Sequence, residues 1–348
     1  MNPGPRYYEY SAVLHVHSRY SDGFGTVPEI LGQAREAEVD ILGLTDHDTR
    51  RAAEDPGEGY HGRVLLLVGA EVTPRQNHVL TWFTETLPPA NEPLHTIIQR
   101  VSDQGGLSFI AHPNDRGNRT LRLPSYRWTE RDIRDFTGIE VWNHLSHWSD
   151  RVKGIPTGLW NLRLPWRVLY NGPRAEDLAL WDRLAQERPT VGIGGVDAHA
   201  VPVPRTHWKV FSYGVSFHAI RTQIFLTEPL SHQNGPDLQQ IKRALRDGHC
   251  AIMAAHLGRE KGFRYWIEDP SQVQFMGDRV SFCPKMRLRG ISPVKAIWHV
   301  VRNGGRVHTT SGHLLDIPVV EPGCYRVELF RGKKGRAWIY SNPIYVEA

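Results

Sequence analysis

From residue 10 to about residue 253, apolar strand-like runs alternate with amphipathic stretches of helical spacing, and most of the runs stop at a histidine or a carboxylate. The runs are YSAVLHV, DILGLT, VLLLVGAE, HVLTWF, LSFIAH, GIEVW, TVGIGGV and TQIFL. Such alternation is the pattern of βα units around a parallel sheet or barrel. Helices are expected over residues 26–39, 91–104, 175–186 and 236–246. The first opens with a Thr-x-x-Glu capping box, Thr26 with Glu29, and carries Val27, Ile30, Leu31 and Ala34 at helical spacing.

Residues 143–174 break this rhythm. They are rich in Trp, His, Arg, Pro and Gly without clean periodicity, and a long irregular connection in a compact domain is usually a lid or binding loop. An ordered covering insert is expected there. After about residue 262 the runs VKAIWHVV, GRVHTTS, GCYRVELF and RAWIYS are separated by NGG, PG and KKG turns, the signature of antiparallel hairpins in a small sandwich. A length of 348 residues accommodates a barrel-sized domain over 1–262 and a small all-β domain over 263–348.

The polar residues that end the runs form an ordered set. His15 and His17 are two apart on a strand, so both project from one face at its carboxyl end. Asp22 follows in a Ser-Asp-Gly turn, where an Asx-turn is the ordinary alternative. His47 sits in a TDHD cluster whose Asp46 and Asp48 read as supporting partners that orient a histidine or water. Glu71 follows an apolar run, where a carboxylate needs a metal or an arginine partner to be buried. His78 and His112 mark strand–loop junctions, and each alone would suit a capping or core histidine. Asp197 and His199 form a second same-face pair after Gly192, Gly194 and Gly195, which permit close approach. Imidazoles mixed with carboxylates, without clustered thiolates, suit Zn²⁺, Mn²⁺ or Fe ions. Strand ends so far apart in sequence converge at the carboxyl-terminal mouth of a curved parallel barrel.

Other classes recede. Cys250, Cys283 and Cys324 are too scattered for a redox pair or a zinc ribbon. No run approaches 18 apolar residues and the amino terminus lacks a signal-like apolar core, so a soluble, cytoplasmic protein without a membrane span is expected. The net charge of +5 leans toward anionic substrates. No compact Lys/Arg stripe with interleaved aromatics stands out, so nucleic acid is a possible but not favoured partner.

The motifs HVHS, SDG, TDHD, GAEVT, AHP and GVDAHA, in this order, resemble the polymerase and histidinol phosphatase (PHP) family of metallohydrolases over residues 10–255. That resemblance implies a distorted (β/α)7 barrel holding two or three divalent ions. Its ligands would be His15, His17, Asp22, His47, Glu71, His78, His112, Asp197 and His199. RTQIFL, LRDGHC and WIYSNPIYV resemble a carbaryl-hydrolase-like branch, which implies a C-terminal β-sandwich and cleavage of a carbamate ester.

The expected activity is hydrolysis of a phosphate mono- or diester, nucleotide-like or small organic, by a metal-activated bridging hydroxide at a centre that includes Asp197. His207 or His147 would protonate the leaving group, and Arg116, Arg174 and Arg205 would grip the phosphate. A carbamate, carboxylic ester or amide hydrolase using the same centre is the alternative, with Trp142, Trp148, Trp160 and Trp166 suited to an aromatic substrate. An alternative of another class is a metal-stabilised binding module without catalysis.

Overall fold

The computed structural model describes residues 6–203, 205, 209–258, 261–269 and 271–348. Its first part runs β1 (Tyr8–Val16), α1 (Val27–Glu36), β2 (Ile41–Leu44), β3 (Gly59–His61), β4 (Val64–Val68), β5 (Ala70–Val72), β6 (Val79–Trp82), α2 (Leu94–Asp103), β7 (Leu107–Ile110) and β8 (Gly138–Asn143). Then follow α3 (His144–Ser149), α4 (Ile155–Arg163), α5 (Ala175–Glu187), β9 (Val191–Gly195), β10 (Val201–Pro202), β11 (Lys209–Val210), α6 (Tyr213–Phe217), β12 (Ile220–Leu226), α7 (Asn234–Asp247) and β13 (Cys250–Ala254).

Local chemistry sets the helix ends. The hydroxyl of Thr26 accepts from Glu29 N at 3.4 Å while the Glu29 carboxylate accepts from Thr26 N at 2.8 Å, closing the capping box of α1. Helix α2 starts at Leu94, later than its spacing predicts, because Pro93 disfavours helical backbone at the residue before it.

Two sheets share this part. One contains β12, β1, β2, β4 and β3 in that order, and the other runs β5-β6-β7-β8-β9. The single run VLLLVGAE contributes to both, β4 to the first and β5 to the second, with Gly69 as the crossing point. A Cβ at Gly69 would lie 2.0 Å from the carbonyl oxygen of Thr81, so any side chain would block the crossing. Parallel bridges His47–Glu71 and Val16–Ala198 tie the sheets together at both flanks, and the polar strand ends meet there.

The sheets are mixed, and not uniformly parallel as the alternation predicts. β1–β2, β2–β4, β7–β8 and β8–β9 are parallel, but β1–β12, β12–β13, β5–β6 and β6–β7 are antiparallel. For β5 and β6 the reason is the length of the connection, which is far too short for a parallel crossover. The insert 143–174 is also more regular than its sequence suggests: α3, α4 and a 3₁₀ turn over Pro165–Leu169 fill most of it. Asn143 caps α3 by accepting from Ser146 N at 2.8 Å.

The remaining strands are β14 (Arg264–Glu268), β15 (Val273–Phe275), β16 (Arg279–Ser281), β17 (Arg287–Arg302), β18 (Gly305–Pro318), β19 (Gly323–Arg331), β20 (Arg336–Ser341) and β21 (Ile344–Glu347). They make a β-rich region with its own apolar cluster around Tyr265, Trp298, Leu329 and Trp338. They also continue the first sheet, since β20 pairs antiparallel with β13. Asn342 stitches the junction: its side chain donates to Gly192 O at 3.0 Å and Cys250 O at 2.8 Å, and accepts from Gly192 N at 2.8 Å. No helix among the described residues is long and apolar enough to cross a membrane.

Candidate metal centre

Three of the candidate ligands sit on left-handed backbone: His15 at φ +65°, His112 at +28° and Asp197 at +53°. Non-glycine residues adopt that region at a cost, and such strain concentrates where side chains are aimed for function. At His15 it breaks the pairing of β1 with β2 between Val13 and Val16, so His15 and His17 converge through a kinked strand end and not by simple alternation. The two histidine-bearing segments lie side by side, with His17 N donating to Ala198 O at 3.0 Å and Asp197 N to His15 O at 2.8 Å.

Glu71 is the hub. Its Oε2 lies 3.3 Å from His15 Nε2, 3.4 Å from His17 Nε2 and 3.3 Å from His47 Nδ1. Its Oε1 lies 2.9 Å from His78 Nδ1 and 3.1 Å from His112 Nε2. Asp197 Oδ1 stands 3.4 Å from His15 Nε2 and 3.5 Å from His17 Nε2. Asp22 closes the outer side, 3.5 Å from His47 Nε2 and 3.2 Å from His199 Nε2. Three overlapping groups have ligand atoms within 4.8 Å of one another: His15, Glu71 and His112; His15, His17 and Asp197; and His17, Asp22, His47 and His199. His78 joins through Glu71. All nine sequence candidates are thus in one place.

The donor set fits divalent cations. Burial disfavours charge on Glu71, yet His15, His112 and His78 hold its carboxyl well below the usual range. Burial and the neighbouring His199 push His17 down to about 4, leaving a neutral ring, and both of its nitrogens are buried without a hydrogen-bond partner. Burial opposes protonation of His112 and His199 too. Glu71 outweighs it at the first, Asp22 and Asp197 at the second, and both rings are pushed up to about 9. Neutral unpartnered imidazole beside clustered carboxylates is what a Zn²⁺, Mn²⁺ or Fe ion binds.

One supporting residue escapes sequence reasoning. Glu140, in the middle of β8, is buried and bonds His15 Nδ1 at 2.9 Å through Oε1. Its Oε2 accepts from His112 N and Asn143 Nδ2, both at 2.9 Å. Gly195 makes the room, since a Cβ there would stand 1.9 Å from Glu140 Oε1. A carboxylate inside the apolar run GIEVW is the signal that would have found it. Asp46 and Asp48 act on loops and not on histidines. Asp46 accepts from Ser18 N, Ser18 Oγ and Ser21 Oγ, each at 2.7 Å, holding the turn that carries Asp22, and Asp48 binds the backbone and hydroxyl of Thr73.

The expected acid and arginines fare differently. His147 is buried, bonds Asn143 O at 2.8 Å and is pushed down to about 3 by burial and Arg174, so it is a neutral core ring and not a proton donor. His207 lies outside the described residues. Arg116 points outward to Glu176 at 2.7 Å. Arg174 is a staple, bonding Asp150 at 2.8 Å, Ser146 O at 3.0 Å and Asn114 O at 3.3 Å, and its side chain does not line either cavity at the ligands. Arg205 is exposed at φ +61° and does not line the cavity over the ligands. Long arginine side chains take whichever carboxylate or carbonyl the fold brings near, which nearness in sequence does not reveal.

Above the ligands lies a cavity of about 650 Å³, walled on one side by Leu145 and Trp148 of α3 and by Phe211. An adjoining cavity, also about 650 Å³, shares Asp22, His47, His78 and Tyr126 with it and is lined further by Thr73, Gln76 and Arg75. Arg75 forms no ion pair among the described residues, and the sequence reading passed it over. Tyr126 packs its ring 4.3 Å from His78. Of the other tryptophans, Trp142 is core, Trp160 is exposed and Trp166 stacks on His256 at 5.8 Å.

No family model matches the chain. An uncharacterized protein of Methanocaldococcus jannaschii is 26% identical to it over 151 residues, 38% of this chain and 81% of that protein. A two-domain protein of Bacteroides vulgatus, containing a predicted PHP-like metal-dependent phosphoesterase, is similar in structure with a TM-score of 0.47 and 16% identity, covering 97% of this chain and 95% of that one. An amidohydrolase of Chromobacterium violaceum, with bound sulfate and no metal, gives a TM-score of 0.32 at 17% identity over 54% of this chain and 87% of its own.

Proposed function

We propose that the chain is a PHP-like metal-dependent hydrolase, and that it cleaves phosphate esters. One observation carries this: nine ligand-type side chains, with Glu71 at their centre, gather beneath an open cavity, with His17 nitrogens buried and unpartnered. A purely structural metal site is closed, whereas a catalytic one leaves a position for substrate. Two or three divalent ions held by His15, His17, Asp22, His47, Glu71, His78, His112, Asp197 and His199 would supply Lewis acidity and an acidified water.

The chain's own residues divide the remaining work. Glu140 would keep a proton of His15 on Nδ1, so that the ring gives up its Nε2 proton to ligate. Arg75, in place of Arg116, Arg174 and Arg205, is positioned to meet an ester oxygen that carries charge. Tyr126 brings a phenol to the rim shared by the two cavities. Residues 1–262 would form a barrel-type domain holding the whole site, and 263–348 an all-β domain that buttresses it.

A second reading, hydrolysis of a carbamate or carboxylic ester, is favoured by the apolar lining of the cavity walled by Trp148 and Phe211. Protein loaded with Zn²⁺, Mn²⁺ or Fe²⁺ and assayed on p-nitrophenyl phosphate, bis-p-nitrophenyl phosphate and a 1-naphthyl carbamate separates the two. Turnover of a phosphate ester that disappears on chelation is expected. Turnover of the carbamate alone would select the second reading, and no retained metal would end both.

A further inference from the structure

The cavity over the ligands is chemically lopsided. Among its described lining residues there is no Lys or Arg, and the only ionisable groups are the candidate ligands, Asp115 and Tyr126. Asp115 is already engaged, accepting from Gly117 N and Tyr126 N at 3.1 Å and from Ser146 Oγ at 3.0 Å. Its mouth is apolar as well: Phe24, Leu123 and Val201 are 44%, 41% and 41% exposed, and all three line this cavity. Large apolar side chains left in water around a concave site mark a place where something apolar binds. Its volume falls in the range of ~300–1,000 Å³ usual for small-molecule sites.

An anionic or strongly hydrated substituent seated beyond the ligands, against Trp148 and Phe211, would lose water and meet only Asp115, Ser146 and Ser149 as polar side chains in exchange. A flat apolar group would cover Trp148 and Phe211 and remove Phe24 and Leu123 from water. Resting on the hydrolase reading above, we infer that the substrate is an ester with a bulky apolar substituent seated in this cavity, and that Phe24, Leu123 and Trp148 set its specificity. The polar cavity beside Arg75 takes the opposite side of the ester. Hydrolysis adds water across the ester bond: the oxygen of water joins the central atom, and the leaving oxygen departs with a proton.

The test uses two phosphodiesters of equal charge and equal leaving group, methyl p-nitrophenyl phosphate and 1-naphthyl p-nitrophenyl phosphate. The naphthyl ester is expected to show at least a tenfold higher kcat/KM. In a Phe24→Ser/Leu123→Ser variant, both changes at exposed positions, the naphthyl rate should fall at least tenfold and the methyl rate less than twofold. Binding of 1-naphthol to metal-free protein, followed by calorimetry, provides a readout independent of turnover. Saturable one-to-one binding that the double variant weakens is expected. Equal rates for the two diesters, or 1-naphthol binding indifferent to the double substitution, would overturn the inference. If no ester of either kind is turned over, the hydrolase reading falls, and 1-naphthol binding alone decides whether the cavity selects apolar groups.

Discussion

Glu140→Gln is the most informative single change, because it keeps the shape of a buried side chain while removing its charge and turning one acceptor oxygen into a donor. A carboxylate is purely an acceptor, so Glu140 fixes a proton of His15 on Nδ1, 2.9 Å away, and a proton displaced by an ion comes off Nε2, which faces Glu71 and Asp197 at 3.3 and 3.4 Å. In the glutamine variant the amide oxygen would keep the bonds from His112 N and Asn143, both 2.9 Å from the present Oε2. The amide NH₂ then faces His15 Nδ1. That ring must accept there, which moves its proton to Nε2 and blocks the nitrogen that would ligate. A hydrogen bond to a charged group is worth about 1.5–3 kcal/mol. Loss of such a partner behind a metal-bound histidine typically weakens binding ~10–100-fold, which corresponds to about 1.4–2.7 kcal/mol. Zn²⁺ or Mn²⁺ titration by calorimetry, with occupancy counted by elemental analysis, measures it directly. The circular dichroism of the metal-free variant should match the parent. Metal affinity within twofold of the parent, in a folded variant, would refute the idea that Glu140 sets the tautomer of a ligand.

Metal binding should release protons. His112 and His199 are pushed up to about 9, so below that pH they hold protons an ion must displace, and apparent affinity should climb from pH 6 toward 9. Calorimetry at pH 7 in two buffers of different ionisation enthalpy checks this, and identical heats would contradict it. Arg75→Ala should lower kcat/KM for bis-p-nitrophenyl phosphate about tenfold, a cost of ~1.4 kcal/mol for a lost charged contact. Arg116→Ala, which breaks only an exposed pair with Glu176, should change it less than twofold; the reverse order would restore the sequence-based choice. Asp182→Ala should destabilise the fold by about 2–3 kcal/mol in urea titration, because the buried Arg326 loses the bonds to Asp182 at 2.6 and 2.8 Å and keeps only Glu328, at 2.7 Å, as a charged partner. Its metal content should stay at the parent's level, since this pair ties α5 to β19, away from the ligands.

Much of the local architecture is legible in the residue order. Each apolar run from YSAVLHV to TQIFL is a strand, or a pair of strands in the case of VLLLVGAE, and Thr26 with Glu29 marks the start of α1. The gathering of His15, His17, Asp22, His47, Glu71, His78, His112, Asp197 and His199 is legible too, because a polar residue that ends a buried strand has few places to go except the common mouth. Strand direction is not legible. VLLLVGAE reads as one strand, and only the clash that a side chain at Gly69 would make with Thr81 shows why it serves two sheets.

The surroundings of the ligands belong to the tertiary structure alone. Arg116, Arg174 and Arg205 stand near the motifs in sequence, yet the first two are held by Glu176 and Asp150, and it is Arg75 that lines the adjoining cavity shared with Asp22, His47 and His78. His147 follows a strand end as the ligands do, but it turns into the core, where burial keeps it neutral. Glu140 matters because Gly195, far along the chain, leaves space beside it. Periodicity and turn chemistry are short-range and are written along the backbone, so sequence alone determined the elements and their polar tips. Which carboxylate meets which cation, and whether a cavity wall is apolar, depends on contacts between distant segments, and those exist only once the sheets have joined.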